Sequence, residues 1–215
     1  MKITAQLFFI PLIIIACTSS GIKRKTDPRA KDFNNKIITL SNYSGNTDSC
    51  KKALLYLDSA TAIDNNCFLC YMNKIMFLIP LKEYNKSLTA INNCIRIKPY
   101  AIDLYLNRGM IYEKMGDTVN AVQSYHESLE ISNKILDTMK TSNSQYIMIS
   151  INKASSLIML NDTAQGDSLL KNLYDKLPSY PNAGYEEKEF IGSMLHTNKR
   201  AMIKMFESPS YSSTK

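Results

Sequence analysis

The stretch Leu104–Leu129, LYLNRGMIYEKMGDTVNAVQSYHESL, decides how the rest of the chain is read. Tyr105, Gly109, Tyr112, Gly116, Asp117, Ala121, Tyr125 and Leu129 fall at helical spacing on either side of a turn, which predicts two antiparallel helices. Large residues on one helix then face small ones on the other. A hairpin of this kind buries only half its apolar face by itself, so neighbours must stack on it.

This pattern resembles a tetratricopeptide repeat, a helix–turn–helix unit of 34 residues. With Ile102 as the first position, the preceding unit begins at Phe68. There Tyr71 takes the place of Tyr105, Leu88 of Val122 and Ile91 of Tyr125, Tyr84 opens the second helix, and Pro99 falls where the family ends on proline. One more step back aligns Ala53 with Ala121, Leu57 with Tyr125 and Ala60 with Ser128. Three units that keep one period without a gap predict an array.

The departures are specific. Ile75 stands where the family has a small residue, and Pro80-Leu81-Lys82 replaces the Gly-containing turn, so that helix is expected to end early. The first helix of the earliest unit matches poorly, as a terminal cap would. After Ile131 the helix is expected to run on towards Met139. The next unit carries an eleven-residue insertion: Asn161-Asp162-Thr163 matches Gly116-Asp117-Thr118, Leu170 matches Tyr125, Leu173 matches Ser128, Pro178 takes the terminal position, and Ala154 the small one. Eleven residues make about three helical turns, so the insertion is expected to lengthen the helices after Asp117 and after Ser144 into protruding tips.

The expected fold is all-α, a right-handed α-α superhelical repeat array with a C-terminal capping helix. The array spans 28–206, with core repeats 68–101 and 102–135, a degenerate repeat over about 146–178, and a cap over 185–206. Asp27-Pro28 reads as an N-cap followed by proline at the first helical position. Thr47 is read as the cap of a helix to about Ile63, whose buried stripe is Ala53, Leu54, Leu57, Ala60 and Ile63. Ser179–Gly184 reads as a loop. The last helix is expected to be continuous from Tyr185 to Phe206, with Phe190, Met194, Leu195, Met202 and Phe206 on its apolar stripe and Lys199, Arg200 and Lys204 towards its negative end. The tail 207–215 is expected to be disordered.

The chain opens MKITAQLFFIPLIIIACTSS, a Lys and an apolar run that is too short for a permanent span and has the layout of a secretory signal over 1–16. Ile14-Ile15-Ala16-Cys17 resembles a lipobox, in which Cys17 is acylated and becomes the new N-terminus; an uncleaved anchor or an ordinary signal with an incidental Cys is the alternative. Residues 17–27 then form a lipidated tether. Of the +7 formal charge, only Lys23-Arg24-Lys25 is clustered, beside the lipid, where contact with anionic headgroups is worth about 1 kcal/mol per residue. The remaining excess serves solubility, and no nucleic acid is expected as a partner.

Cys67-Phe68-Leu69-Cys70 has C-x-x-C spacing at a helix N-terminus, open to redox or metal chemistry, a structural disulfide, or plain packing. No second C-x-x-C follows, and His126 and His196 lie far off in sequence, so packing is the preferred reading and Cys94 is likewise read as a small buried residue. His126, beside Glu127, is read as a surface residue. The sequence has no phosphate loop, no nucleophile elbow and no paired-His motif; no enzyme activity, metal or cofactor is expected.

What remains is the inner surface. The resemblance implies that positions two, five, six and nine of each first helix line a groove: Leu69, Met72, Asn73 and Met76; Asp103, Leu106, Asn107 and Met110; Met148, Ile151, Asn152 and Ser155. Asn73, Asn107 and Asn152 recur at one position, where an amide can bond the backbone of an extended peptide, and the methionines are adaptable apolar contacts. The basic clamp some members use for a peptide carboxylate is missing. The expected function is a non-catalytic, lipid-anchored scaffold for a protein or peptide in the bacterial envelope, at the outer membrane and facing the periplasm. The alternative is a structural subunit or chaperone of an envelope assembly that binds through the convex face or the inserted helix tips.

Overall fold

The computed structural model describes residues 25–41, 46–141, 145–177 and 185–207. The described residues form helices α1 (Pro28–Asn35), α2 (Ile38–Ser41), α3 (Thr47–Ile63), α4 (Phe68–Leu78), α5 (Tyr84–Ile97), α6 (Ile102–Lys114), α7 (Thr118–Leu136), α8 (Tyr146–Met159), α9 (Thr163–Lys176), α10 (Tyr185–Met194) and α11 (Lys199–Glu207), with no strand among them. The fold is all-α, built of consecutive packed helix pairs in the manner of a tetratricopeptide array. Two compact units divide between Pro99 and Tyr100. In the first, α3 packs between α1 and α4, and α4 pairs with α5. In the second, α6 pairs with α7, α7 packs on α8, α8 pairs with α9, and α10 adds to α9.

The repeat phase is written in the turns. Between α4 and α5, α6 and α7, and α8 and α9 the chain passes through one left-handed residue: Lys82 (φ 56°), Gly116 (φ 78°) and Asn161 (φ 66°). In each turn the next residue donates its N–H five residues back, Glu83 to Leu78, Asp117 to Tyr112 and Asp162 to Leu157, at 2.9–3.1 Å. This closes the orphan carbonyls of the preceding helix. Asp117 and Asp162 then cap the next helix by accepting from the N–H groups of Asn120 and Gln165. The Asn120 side chain also donates to Asp117, and these two bonds hold the Asp117 carboxyl below its ordinary range. Glu83 makes no such bond, so the first turn lacks this cap.

An L side chain in left-handed geometry costs about 1 kcal/mol that glycine avoids. Lys82→Gly is therefore expected to stabilise the first unit by about 0.5–1 kcal/mol, and Gly116→Ala, whose added Cβ would meet nothing within 4 Å, to destabilise the second by about 1 kcal/mol through backbone conformation alone. Urea titration of both variants checks this pair of opposite signs.

The same phase sorts the core. Leu57, Ile91, Tyr125 and Leu170 occupy one repeat position and are all fully buried. Each such side chain contributes about 1.5–3 kcal/mol by leaving water. Ala53, Ser87, Ala121 and Gly166 share the small position four residues earlier, and Ala60, Cys94, Ser128 and Leu173 the one three residues later; all are buried. Between α7 and α8 the seam is polar but paired: Ser156 Oγ donates to Ser128 Oγ at 2.9 Å, and Ser132 Oγ bonds the Ser128 carbonyl. Hydroxyls with partners let these two helices approach closely without stranding a polar group.

Several expectations are corrected. Asn46, not Thr47, caps α3, its Oδ1 accepting from Ser49 N–H, because Asn holds the extended conformation a cap needs and leaves Thr47 as the first helical residue. The α4 helix does end early, at Leu78, yet the turn that follows keeps the geometry of its neighbours. The insertion lengthens α7, which has 19 residues against 14 in α5 and α9, but not α8, which has 14 against 13 in α6. Residues 137–141, which follow α7, are not helical, and Thr138 and Thr141 among them are of a type that competes with the helix backbone; 142–144 lie outside the described residues.

The final helix is broken at Leu195–Asn198. Asn198 Oδ1 accepts from Ala201 N–H and starts a new helix, while Asp167 takes the His196 N–H. Lys199 and Arg200 consequently sit at the positive end of α11 rather than at a negative end. Of the proposed stripe, Met194 and Met202 are buried; Phe190, Leu195 and Phe206 are half-buried; and Ile191, fully buried, was not anticipated. Finally, Cys67 and Cys70 form a disulfide, with Cα atoms 5.3 Å apart, which corrects the packing reading of this pair; Cys50 and Cys94 are buried, and the Cys94 thiol donates to the Phe68 carbonyl. The signal segment with Cys17, Pro178, the Ser179–Gly184 loop and the tail beyond Glu207 lie outside the described residues.

Candidate functional site

The residues to place are the inner positions of α4, α6 and α8. On α4, Leu69 is 49% exposed, Met72 is buried, and Met76 is half-buried against the cluster of Ala30, Ile37, Leu57 and Phe77. Asn73 Nδ2 donates to Asn34 Oδ1 of α1 at 2.8 Å, so this amide joins two first helices within the unit. Its neighbour Lys74 is occupied as well, pairing with Asp58 at 2.8 Å and Thr61 at 2.9 Å. Leu69 is thus the exposed member of this group of four.

In the second unit the set is more enclosed. Leu106, Met110, Ile151 and Ser155 are buried, whereas Asp103, Asn107 and Met148 are half-buried. Asn152 is 4% exposed, and among the described residues its Oδ1 accepts no hydrogen bond; Ser150 Oγ on the same helix likewise has no partner among them. A buried polar atom left unpaired costs about 1–3 kcal/mol, which a donor arriving with a ligand would relieve. The three Asn residues that share one repeat position therefore differ in structure: Asn73 is hydrogen-bonded to Asn34, Asn107 is half-buried, and Asn152 is buried with its Oδ1 unpaired among the described residues.

Sequence reasoning missed a charged pair on this surface. Glu113 follows Leu106 and Met110 by helical steps and so lies on the same stripe of α6. Lys199 Nζ of α11 reaches its Oε1 at 2.5 Å, the two side chains being 23% and 12% exposed. The Lys199 ammonium also stands 5.8 Å from the Tyr125 ring centre. Burial, with a smaller contribution from the Glu113 charge, pushes the Tyr125 phenol far above its ordinary range. The signal was Glu113 itself, a carboxylate inside an apolar stripe. Its partner, 86 residues away, could not be seen.

The opposite side of α6 is structural. Arg108 Nη2 pairs with Glu127 at 2.6 Å and its Nε donates to Ser124 at 3.0 Å, tying α6 to α7. His126 is exposed beside Glu127, and His196 lies against Asp167 at 3.2 Å. Among the described residues no three His, Cys, Asp or Glu side chains are placed to hold a metal ion, and no helix is long and apolar enough to cross a membrane. Met115, Val119 and Val122 are exposed at the start of α7 and the turn before it.

No curated protein matches this chain. A protein-family model, Tetratricopeptide repeat, matches residues 102–135, which are α6, its turn and nearly all of α7. Over this pair the chain is similar to the tetratricopeptide repeat, a unit that commonly binds proteins or peptides.

Proposed function

We propose that the protein is a non-catalytic, lipid-anchored scaffold of the bacterial envelope that binds a protein or peptide through the inner positions of its helix pairs. The observation that carries the binding reading is Asn152: a buried side-chain amide on the inner stripe of α8 whose acceptor has no partner among the described residues. An extended peptide brings a regular row of N–H donors, the chemistry this acceptor lacks. Asn107 offers an amide at the equivalent place on α6. The anchor rests on the sequence, in the apolar run that ends Ile-Ile-Ala-Cys17.

Asn152→Ala separates binding from folding. Removing an unsatisfied buried acceptor is expected to leave stability unchanged or raise it by about 1 kcal/mol. Capture of the partner from detergent-solubilised envelope is expected to fall at least tenfold. Unchanged capture, with Asn107→Ala equally silent, would remove the inner surface from consideration. For the anchor, Cys17→Ser is expected to yield a soluble or unprocessed chain on fractionation; a processed form retained in the membrane would contradict it.

The second reading, attachment through the outer surface, is favoured by one feature. Val119, 78% exposed on α7, is an apolar residue open to solvent among the described residues, and Val122 and Met115 stand near it in sequence. Val119→Asp and Val122→Asp together would abolish capture in that case and leave it intact if the inner surface binds.

A further inference from the structure

The geometry points to α11 as a built-in latch on the inner surface of the second unit, which a partner must displace; this rests on the inner-surface reading above. Three observations meet here. The first is the Lys199–Glu113 pair, which ties the first residue of α11 to the inner stripe of α6 and is largely out of water. A cation in the first turn of a helix opposes the helix dipole, so Lys199 is placed against its local preference and held by the distant carboxylate. Glu113 in turn would be a buried charge without a counter-ion if Lys199 withdrew, since among the described residues Lys199 is what pairs with its Oε1. Each charge depends on the other.

The second is the hinge. Residues 185–206 contain no proline, and their apolar spacing reads as one uninterrupted helix, yet the chain turns at Leu195–Asn198. His196 takes a left-handed φ of 61°, a conformation that costs a non-glycine residue free energy, and Asp167 holds it there by accepting the His196 N–H at 2.6 Å. The straight helix that the sequence favours and the bent form that these contacts stabilise are the two states a latch requires.

The third is enclosure. Leu106, Met110, Ile151, Asn152 and Ser155, which a ligand would have to touch, are buried, and so is Met202 on the apolar stripe of α11. A partner that offers its own cation to Glu113 and its own apolar side chain in place of Met202 would compete with α11 directly. The ligand class is therefore a basic, amphipathic peptide segment resembling residues 195–207 of this chain.

The test uses the full-length chain and a fluorescein-labelled synthetic peptide of residues 195–207. In fluorescence polarisation, Lys199→Glu is expected to bind this peptide at least tenfold more tightly than the unsubstituted chain, because its own latch is released while Glu113 remains. Glu113→Lys is also expected to release the latch but not to bind that peptide; it should bind one carrying Glu at position 199 instead. Hydrogen exchange on the same samples reports the latch separately: amides of α11 should exchange at least tenfold faster in both variants. Unchanged exchange would overturn the latch. Faster exchange with no peptide binding to either variant would leave the latch standing and overturn the inner-surface reading on which its role depends.

Discussion

Gly109→Ala is expected to destabilise the second unit by about 2 kcal/mol, although alanine is the better helix former. A Cβ built on Gly109 would stand 2.3, 2.6 and 2.8 Å from three ring carbons of Tyr125, distances that real Cβ atoms do not adopt. Tyr125 has no exposed surface, so the ring has nowhere to go without moving α7. Overpacking of this kind costs about 1–3 kcal/mol and sometimes more, and three simultaneous clashes place it at the upper end. The helix-propensity gain of about 1 kcal/mol offsets only part. Thermal unfolding followed by circular dichroism should show a fall in Tm of roughly 10 °C, using about 4–8 °C per kcal/mol for a unit of this size. Tyr125→Leu in the same chain should recover part of the loss. Strict additivity of the two substitutions would show that the ring is not the obstacle.

Gly166→Ala is expected to cost about 1–2 kcal/mol by the same logic at a different seam. Its Cβ would lie 2.5 Å from Ile158 Cγ1 and 2.9 Å from the carbonyl oxygen of Ala154. The isoleucine can change rotamer at some cost, but the carbonyl belongs to the α8 backbone and yields only if the helices separate. Gly166 holds the repeat position of Ala121, where a Cβ is accommodated. Ala121→Gly should therefore destabilise by about 1 kcal/mol through propensity alone, so both substitutions lose stability although one adds a methyl and the other removes it. A net gain for Gly166→Ala would mean that α8 and α9 do not pack as closely as described.

These two glycines show how much of the fold was legible. Gly109 and Tyr125 stand in the opening stretch at the spacing of facing helix surfaces, and the structure puts the ring on the glycine. The alignment of Asn161-Asp162-Thr163 with Gly116-Asp117-Thr118 agrees with the identical turn bonds at Asp117 and Asp162. Period and burial are local properties, repeated along the chain, so a single sequence carries them.

What the sequence carried less well depends on competition between local choices. Whether His196-Thr197-Asn198 continues a helix or breaks it turns on Asp167, a residue of α9, and the periodic signal cannot register such a distant acceptor. The insertion was counted correctly but divided wrongly, because residue number does not say where helix gives way to connector. At the candidate site, spacing identified the inner stripes but not their state. Asn73, Asn107 and Asn152 are equivalent by position, and only side-chain contacts separate the paired one from the orphan. Glu113 and Lys199 make the same point, since a charge pair between remote segments leaves no periodic trace.

The account's central claim, that the inner positions of the helix pairs contact the partner, is tested most directly by site-specific photocrosslinking in intact cells. A photoreactive amino acid would be placed in turn at Asn107, Met148 and Val119. Half-buried inner positions Asn107 and Met148 are predicted to yield a discrete crosslinked protein band, and exposed Val119 on the outer side of α7 to yield none. A band from Val119 with none from Asn107 or Met148 would contradict the claim.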